Sequence, residues 1–197
     1  NRDATLEAAL ITKRGVRAGG EFRYLEPTYR GRLLGDVLPS DRLRDRNRWS
    51  YALEHSASVG TPIGGIGVNL NIRRVSDDNY WRDLGRGTQG DTQRLLPADA
   101  LFTWGGGDQH LMLRTLRWQT LQDPLAPIVP PYDRLPQLQW RYTPSQLGMG
   151  LDASVELDTT HFHSDRSLTL QPSAQRSYAL AQISRPFLWP AGFVTPR

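Results

Sequence analysis

The sequence contains no cysteine. That excludes disulfide staples and thiolate metal sites and leaves the compartment open. Lysine is nearly absent too: of 24 basic residues, all but Lys13 are arginine. No run approaches the roughly 18 consecutive apolar residues of a membrane-crossing helix, and only 38% of residues are hydrophobic. No segment keeps a helical apolar period, nothing repeats at fixed length beyond the hairpin, and no linker divides the chain. A secretory signal peptide is missing and residue 1 is asparagine, so the sequence reads as a mature chain or a fragment of one.

Catalytic signatures are missing as well. Gly64-Gly65-Ile66-Gly67 lacks the Lys-Ser/Thr of a phosphate loop and leads into a strand. Gly105 to Gly107 reads as a turn. No serine sits in a nucleophile-elbow context. Asp77 and Asp78 are adjacent in a turn and point apart, which suits loop capping better than acid–base work. An enzyme is therefore not expected, and no cofactor is. His161, His163 and Asp165 look superficially like metal ligands, since histidines two apart share a strand face, but no fourth ligand is at hand and no metal is expected. The arginines are interleaved with 20 acids, at a net charge of +4, rather than clustered. That argues against nucleic acid as a partner. Arginine forks onto carboxylates and phosphates, which suits a polar lumen or an anionic lipid headgroup; codon bias would give the same excess.

What is present is alternation. From Gly65, the residues Ile66, Val68, Leu70 and Ile72 fall on one side, and Gly67, Asn69, Asn71 and Arg73 on the other. Successive strand side chains point to opposite faces, so this is a strand with one apolar and one polar face. It runs into the turn formers Ser76 to Asn79 and the aromatic pair Tyr80-Trp81. The design recurs along the chain. Strands are expected at 5–12, 16–25, 29–38, from 49, 65–75, 93–104, 109–122, 134–142, 147–158 and 174–186, with an eleventh beginning at Ala191. The changed phase of Leu116 and Trp118 suggests a bulge within 109–122. Long loops are expected at 39–47, 76–92, 123–133 and 161–173, with short turns between. After the first hairpin the long loops thus share one end.

Strands of about ten residues, loops long at one end, and aromatic residues near strand ends are marks of a transmembrane β-barrel. The fold expected is all-β: an antiparallel up-and-down segment of about 10–11 strands, an incomplete barrel, forming a single unit over 1–197. Open edges cannot sit in lipid, so more strands are expected beyond the chain. The rival reading is a soluble β-sandwich that binds carbohydrate, with Trp49, Trp81 and Trp118 as stacking platforms.

Several segments, in order, resemble the LptD family of outer-membrane lipopolysaccharide-assembly (organic-solvent-tolerance) proteins. They are Asn1–Gly15, Glu21–Leu25 (EFRYL), Leu38–Arg42 (LPSDR), Arg48–His55 (RWSYALEH) and, most specific, Val75–Leu84 (VSDDNYWRDL), with weaker likeness at 102–121 and 135–140. The resemblance implies a large barrel in the Gram-negative outer membrane, with a periplasmic domain before residue 1 and most of the barrel after residue 197. It implies lipopolysaccharide as cargo, a lateral opening beside the first strand, an LptE-type plug lipoprotein in the lumen, periplasmic lipopolysaccharide-bridge proteins as partners, and outer-membrane lipids around it. Glu7, Arg17, Glu21, Arg23, Arg30, Arg32 and Asp36 would then line the lumen. The gate strand would carry Leu6, Ala8 and Leu10. Relatives often have a proline there, which removes a ladder donor; with Ala8, the seam is weakened differently or gating depends on residues outside this chain.

Overall fold

A computed structural model of the chain describes residues 1–84, 94–145 and 147–196. Ten strands form one antiparallel sheet in sequence order. They are β1 (Arg2–Ile11), β2 (Gly15–Leu25), β3 (Tyr29–Asp41), β4 (Arg46–Thr61), β5 (Gly64–Val75), β6 (Leu95–Gly106), β7 (Gln109–Thr120), β8 (Asp133–Tyr142), β9 (Asp152–His163) and β10 (Ala174–Ser184). A short helix, α1 (Tyr80–Leu84), follows β5. β11 (Phe187–Trp189) and β12 (Gly192–Val194) make a separate hairpin. Among the described residues the sheet does not close: β1 and β10 each have one neighbour.

The register sorts side chains onto two faces. One row runs Ala18, Val37 and Trp49; the next runs Gly20, Gly35 and Tyr51. Further along, Phe22, Leu33, Leu53 and Ile72 line up, as do Val68, Phe102, Leu113 and Leu138. This apolar face is continuous from β1 to β10. Among the described residues no second layer covers it: Leu6 is 87% exposed and Leu10 78%. The sandwich reading needs such a layer. Its three tryptophans also fail to form one platform. Trp49 stacks on Tyr51 on the apolar face, Trp81 belongs to α1, and Trp118 sits on the other face.

Tight glycines permit two close approaches. Gly64 takes φ +132 in the β4–β5 turn, and a Cβ there would strike the backbone of Gly105. Gly31 lies beneath the ring of Tyr24, whose hydroxyl meets His55 Nδ1 at 2.6 Å.

Four expected boundaries shift. Residues 39–47 are not a long loop: β3 and β4 run on past a register shift between Leu38 and Asp41, where Ser40 takes φ 51. Arg44 and Asp45 then donate back to the Asp41 carbonyl and close a tight turn. The polarity that suggested a loop belongs to charges that are paired. β9 starts at Asp152 rather than 147, because Gly148, Met149 and Gly150 take positive φ one after another, and three such residues in a row cannot keep an extended ladder. The β8–β9 connection is therefore not short. The bulge lies in β8, not β7: Arg114 pairs with Gln137 and Leu116 with Arg134, so Leu135 and Pro136 together face Thr115. Leu116 points to the polar face without any break in β7 and is buried there. Finally, Leu188 and Trp189 lie in β11, and the turn falls after them. The expected strand start at Gln93, the loop to Thr92 and the turn residue Gln146 lie outside the described residues.

Candidate functional site

Glu7, Arg17, Glu21, Arg23, Arg30, Arg32 and Asp36 all fall on the polar face of β1 to β3. The structure brings most of them into pairs. Arg17 forks two nitrogens onto Asp36 Oδ1, at 2.9 and 3.1 Å. Arg23 and Arg32 are direct cross-strand partners, an arrangement that costs energy unless compensated. Compensation comes from Glu21, 2.8 Å from Arg32 and 3.5 Å from Arg23, and from Asp3, 2.9 Å from Arg23. Further along the face Arg73 meets Glu54 at 2.8 Å and Arg114 forks onto Asp99. Arg30 is exposed and makes no side-chain contact of this kind among the described residues. Together with Arg23, Arg32, Asn69, Asn71 and Asp99 it borders a hollow of about 570 Å³.

Sequence reasoning missed the densest cluster. The segment after β5 folds back over the polar face, and α1 packs on Leu38, Val75, Leu96 and Leu121 through Tyr80 and Leu84. This is the only core cluster among the described residues. Beside it lies Arg48, whose side chain is fully buried. Its guanidinium contacts three carboxylates: Asp77 at 2.8 and 3.0 Å, Asp83 at 2.9 Å and Asp41 at 3.1 Å. Arg14 joins at 2.6 Å from Asp41, and Arg44 at 2.8 Å from Asp83. The Arg48 guanidinium also stands 5.3 Å from the centre of the Tyr80 ring. Arg17 donates to the Leu84 carbonyl at 3.4 Å. One clasp thus ties β2, β3, β4 and the turn after β1 to a single helical turn.

Asp77 also accepts the Asn79 N–H at 3.1 Å and the Ser76 hydroxyl at 2.8 Å. Burial disfavours its charge, but hydrogen bonds from Arg48 and Ser76 outweigh this and hold its carboxyl below the usual range. Burial raises the Tyr80 phenol. The clue in the sequence is the motif VSDDNYWRDL, whose two outer acids, Asp77 and Asp83, reach one arginine in RWSYALEH.

The three candidate metal ligands turn elsewhere. Asp165 accepts the Ser167 hydroxyl and N–H at 2.6 and 2.9 Å, which lowers its pKa. His163 faces Asp133 at 3.7 Å, and His161 lies 3.1 Å from the Leu135 carbonyl. Leu6, Ala8 and Leu10 share the apolar face of β1. Ala8 pairs with Ala18, so the β1–β2 ladder is unbroken there, while among the described residues the other edge of β1 has no partner strand.

A family model described as LPS transport system D matches residues 46–197. An LPS-assembly protein LptD of Acidovorax sp. (strain JS42) is 59% identical over 204 residues, covering all of this chain and 25% of that protein. That of Paracidovorax citrulli (strain AAC00-1) is 62% identical over 201 residues, at 24% of its length. That of Ralstonia nicotianae (strain ATCC BAA-1114 / GMI1000) is 39% identical over 197 residues, again at 24%. The chain spans about a quarter of the length of these relatives.

Proposed function

The chain belongs to the LptD family, and from that premise we propose that it forms the opening strands of an outer-membrane β-barrel that inserts lipopolysaccharide into the outer leaflet. It works there as a transporter segment rather than an enzyme. One observation carries the reading: ten strands in one layer present a continuous, uncovered apolar face opposite a charged one. Water leaves such a face exposed at great cost, whereas acyl chains cover it at none. Backbone groups at the free edges of β1 and β10 need further strands, since lipid supplies no hydrogen bonds.

In this reading the polar face lines the lumen. Arg23, Arg30 and Arg32 meet the phosphates and acidic sugars of passing headgroups, with Glu21 holding two of them in place. A plug lipoprotein of the LptE type occupies the same lumen, and periplasmic bridge proteins deliver cargo through a domain before residue 1. β1, with Leu6, Ala8 and Leu10 on its outer face, borders the lateral opening. The clasp around Arg48 anchors the β1–β2 turn and β2 from the loop end.

The test is charge reversal in the full-length protein. Arg23→Glu with Arg32→Glu should lower surface lipopolysaccharide, measured by surface labelling, while barrel assembly, read from heat-modifiable gel mobility, persists. Assembly intact with export unchanged would reject a role for these arginines.

A further inference from the structure

Of the arginines within the paired rows of the sheet, only Arg2, Arg74 and Arg117 fall on the apolar face. Arg2 is at the short-turn rim. Arg74 and Arg117 are both at the opposite rim, where the long loops lie. Arg74 pairs in register with Tyr51, which stacks on Trp49 with ring centroids 5.6 Å apart. Arg117 stands across from Ala98, and Ala98 across from Ile72, two residues before Arg74. A small side chain therefore separates the two cations, and they act on each other electrostatically.

Carboxylate balances them only in part. Among the described residues Asp133 is the one acid shown acting on both, and it serves other groups as well: it accepts the Trp118 N–H at 2.7 Å, faces His163 at 3.7 Å and stands 4.0 Å from Arg117. Arg74 makes a long bond of 3.4 Å to the Leu96 carbonyl. Arg117 is 68% exposed. Directly below them the face turns apolar, with Ile72, Ala100, Phe102 and Leu113. An anion bound here would hang from two arginines above an oily wall. That is the shape of an amphiphile, not of a free ion.

We propose that Arg74 and Arg117 form an outward-facing site for the phosphate of a phosphorylated membrane lipid, its acyl chains lying against Ile72, Ala100 and Leu113. The site rests on the reading of this face as lipid-facing. It is separate from the lumen, because the register puts Arg23 and Arg32 on the opposite side of the sheet. Arginine suits the task through its planar fork, and the neighbouring Trp49 and Tyr51 sit where aromatic residues meet headgroups.

The experiment is native mass spectrometry of the full-length protein in detergent, titrated with diphosphorylated lipid A and with the same lipid after enzymatic dephosphorylation. Wild type should retain the phosphorylated form in preference. Arg74→Gln with Arg117→Gln should weaken that retention by about tenfold or more, as loss of charge-assisted bonds implies, with heat-modifiable mobility unchanged. Arg23→Glu with Arg32→Glu should leave the adduct in place, so export can fail while this site survives. Equal retention by the Gln variant, or displacement of the lipid by millimolar inorganic phosphate, would overturn the proposal.

Discussion

Arg48 puts a full positive charge where water does not reach, among Asp41, Asp77 and Asp83. Removing one member of such a set leaves the others uncompensated. Arg48→Met should cost about 3–5 kcal/mol, visible as a lower unfolding midpoint in the gel-mobility assay. Arg48→Lys should recover only part, because a point charge cannot fork onto two carboxylates. A midpoint unchanged in the Met variant would show that the cluster is dispensable. Gly31 illustrates a different constraint. Its missing side chain makes room for Tyr24, and a Cβ would overlap that ring and crowd the Glu54 carbonyl at 2.8 Å. Gly31→Val should cost about 1–3 kcal/mol. In a Tyr24→Ala background part of that cost should vanish, since two residues in contact couple. Strict additivity of the two changes would rule out the ring as the obstacle.

At the scale of elements, α1 has five residues and no stability of its own. It is held by burial of Tyr80 and Leu84 and by the clasp. The Asp77 carboxyl is depressed in the folded state. Its contribution is therefore complete above the unfolded carboxylate range and is lost as pH falls below about 4. Amide exchange across residues 80–84, corrected for its intrinsic pH dependence, should accelerate between pH 6 and pH 3 while the centre of β4 stays protected. A flat profile would remove Asp77 from the clasp. On the proposed reading the strands obey a second rule, set by the medium. Leu53 lies mid-face between Leu33 and Ile72. Leu53→Arg should destabilise the barrel by about 2–4 kcal/mol in lipid, whereas Ala52→Arg, one residue away on the polar face, should be tolerated. Equal costs for the two would mean that the faces do not differ in surroundings.

At the scale of the whole molecule, the sheet divides space into two sides. In single-tryptophan variants of the full-length protein, reconstituted in lipids with brominated chains, Trp49 fluorescence should be quenched strongly. Trp81, in α1 on the other side, should be spared. Equal quenching would contradict the assigned sides. The side assignment was legible in the sequence because strand geometry fixes it: Ile66, Val68, Leu70 and Ile72 alternate, and neighbours in register extend the pattern across the sheet. The expected lumen residues share one face for the same reason. Boundaries were less legible where glycine or charge imitated another signal. The alternation of Leu147, Met149 and Leu151 with glycine has the pattern of a strand but the backbone of a turn. The polar run 39–47 has the composition of a loop, yet its ends are strand because Asp41 finds Arg48.

Alternation, strand length and the order of the hairpins follow from the sequence alone, because they depend on residues near one another in the chain and on the two-residue period of the strand. The clasp, the bulge in β8 and the nearness of Arg74 to Arg117 were decided only by the tertiary structure. Each depends on how separate strands or loops come together, and an arginine states its charge but not which distant carboxylate, phosphate or backbone group will meet it.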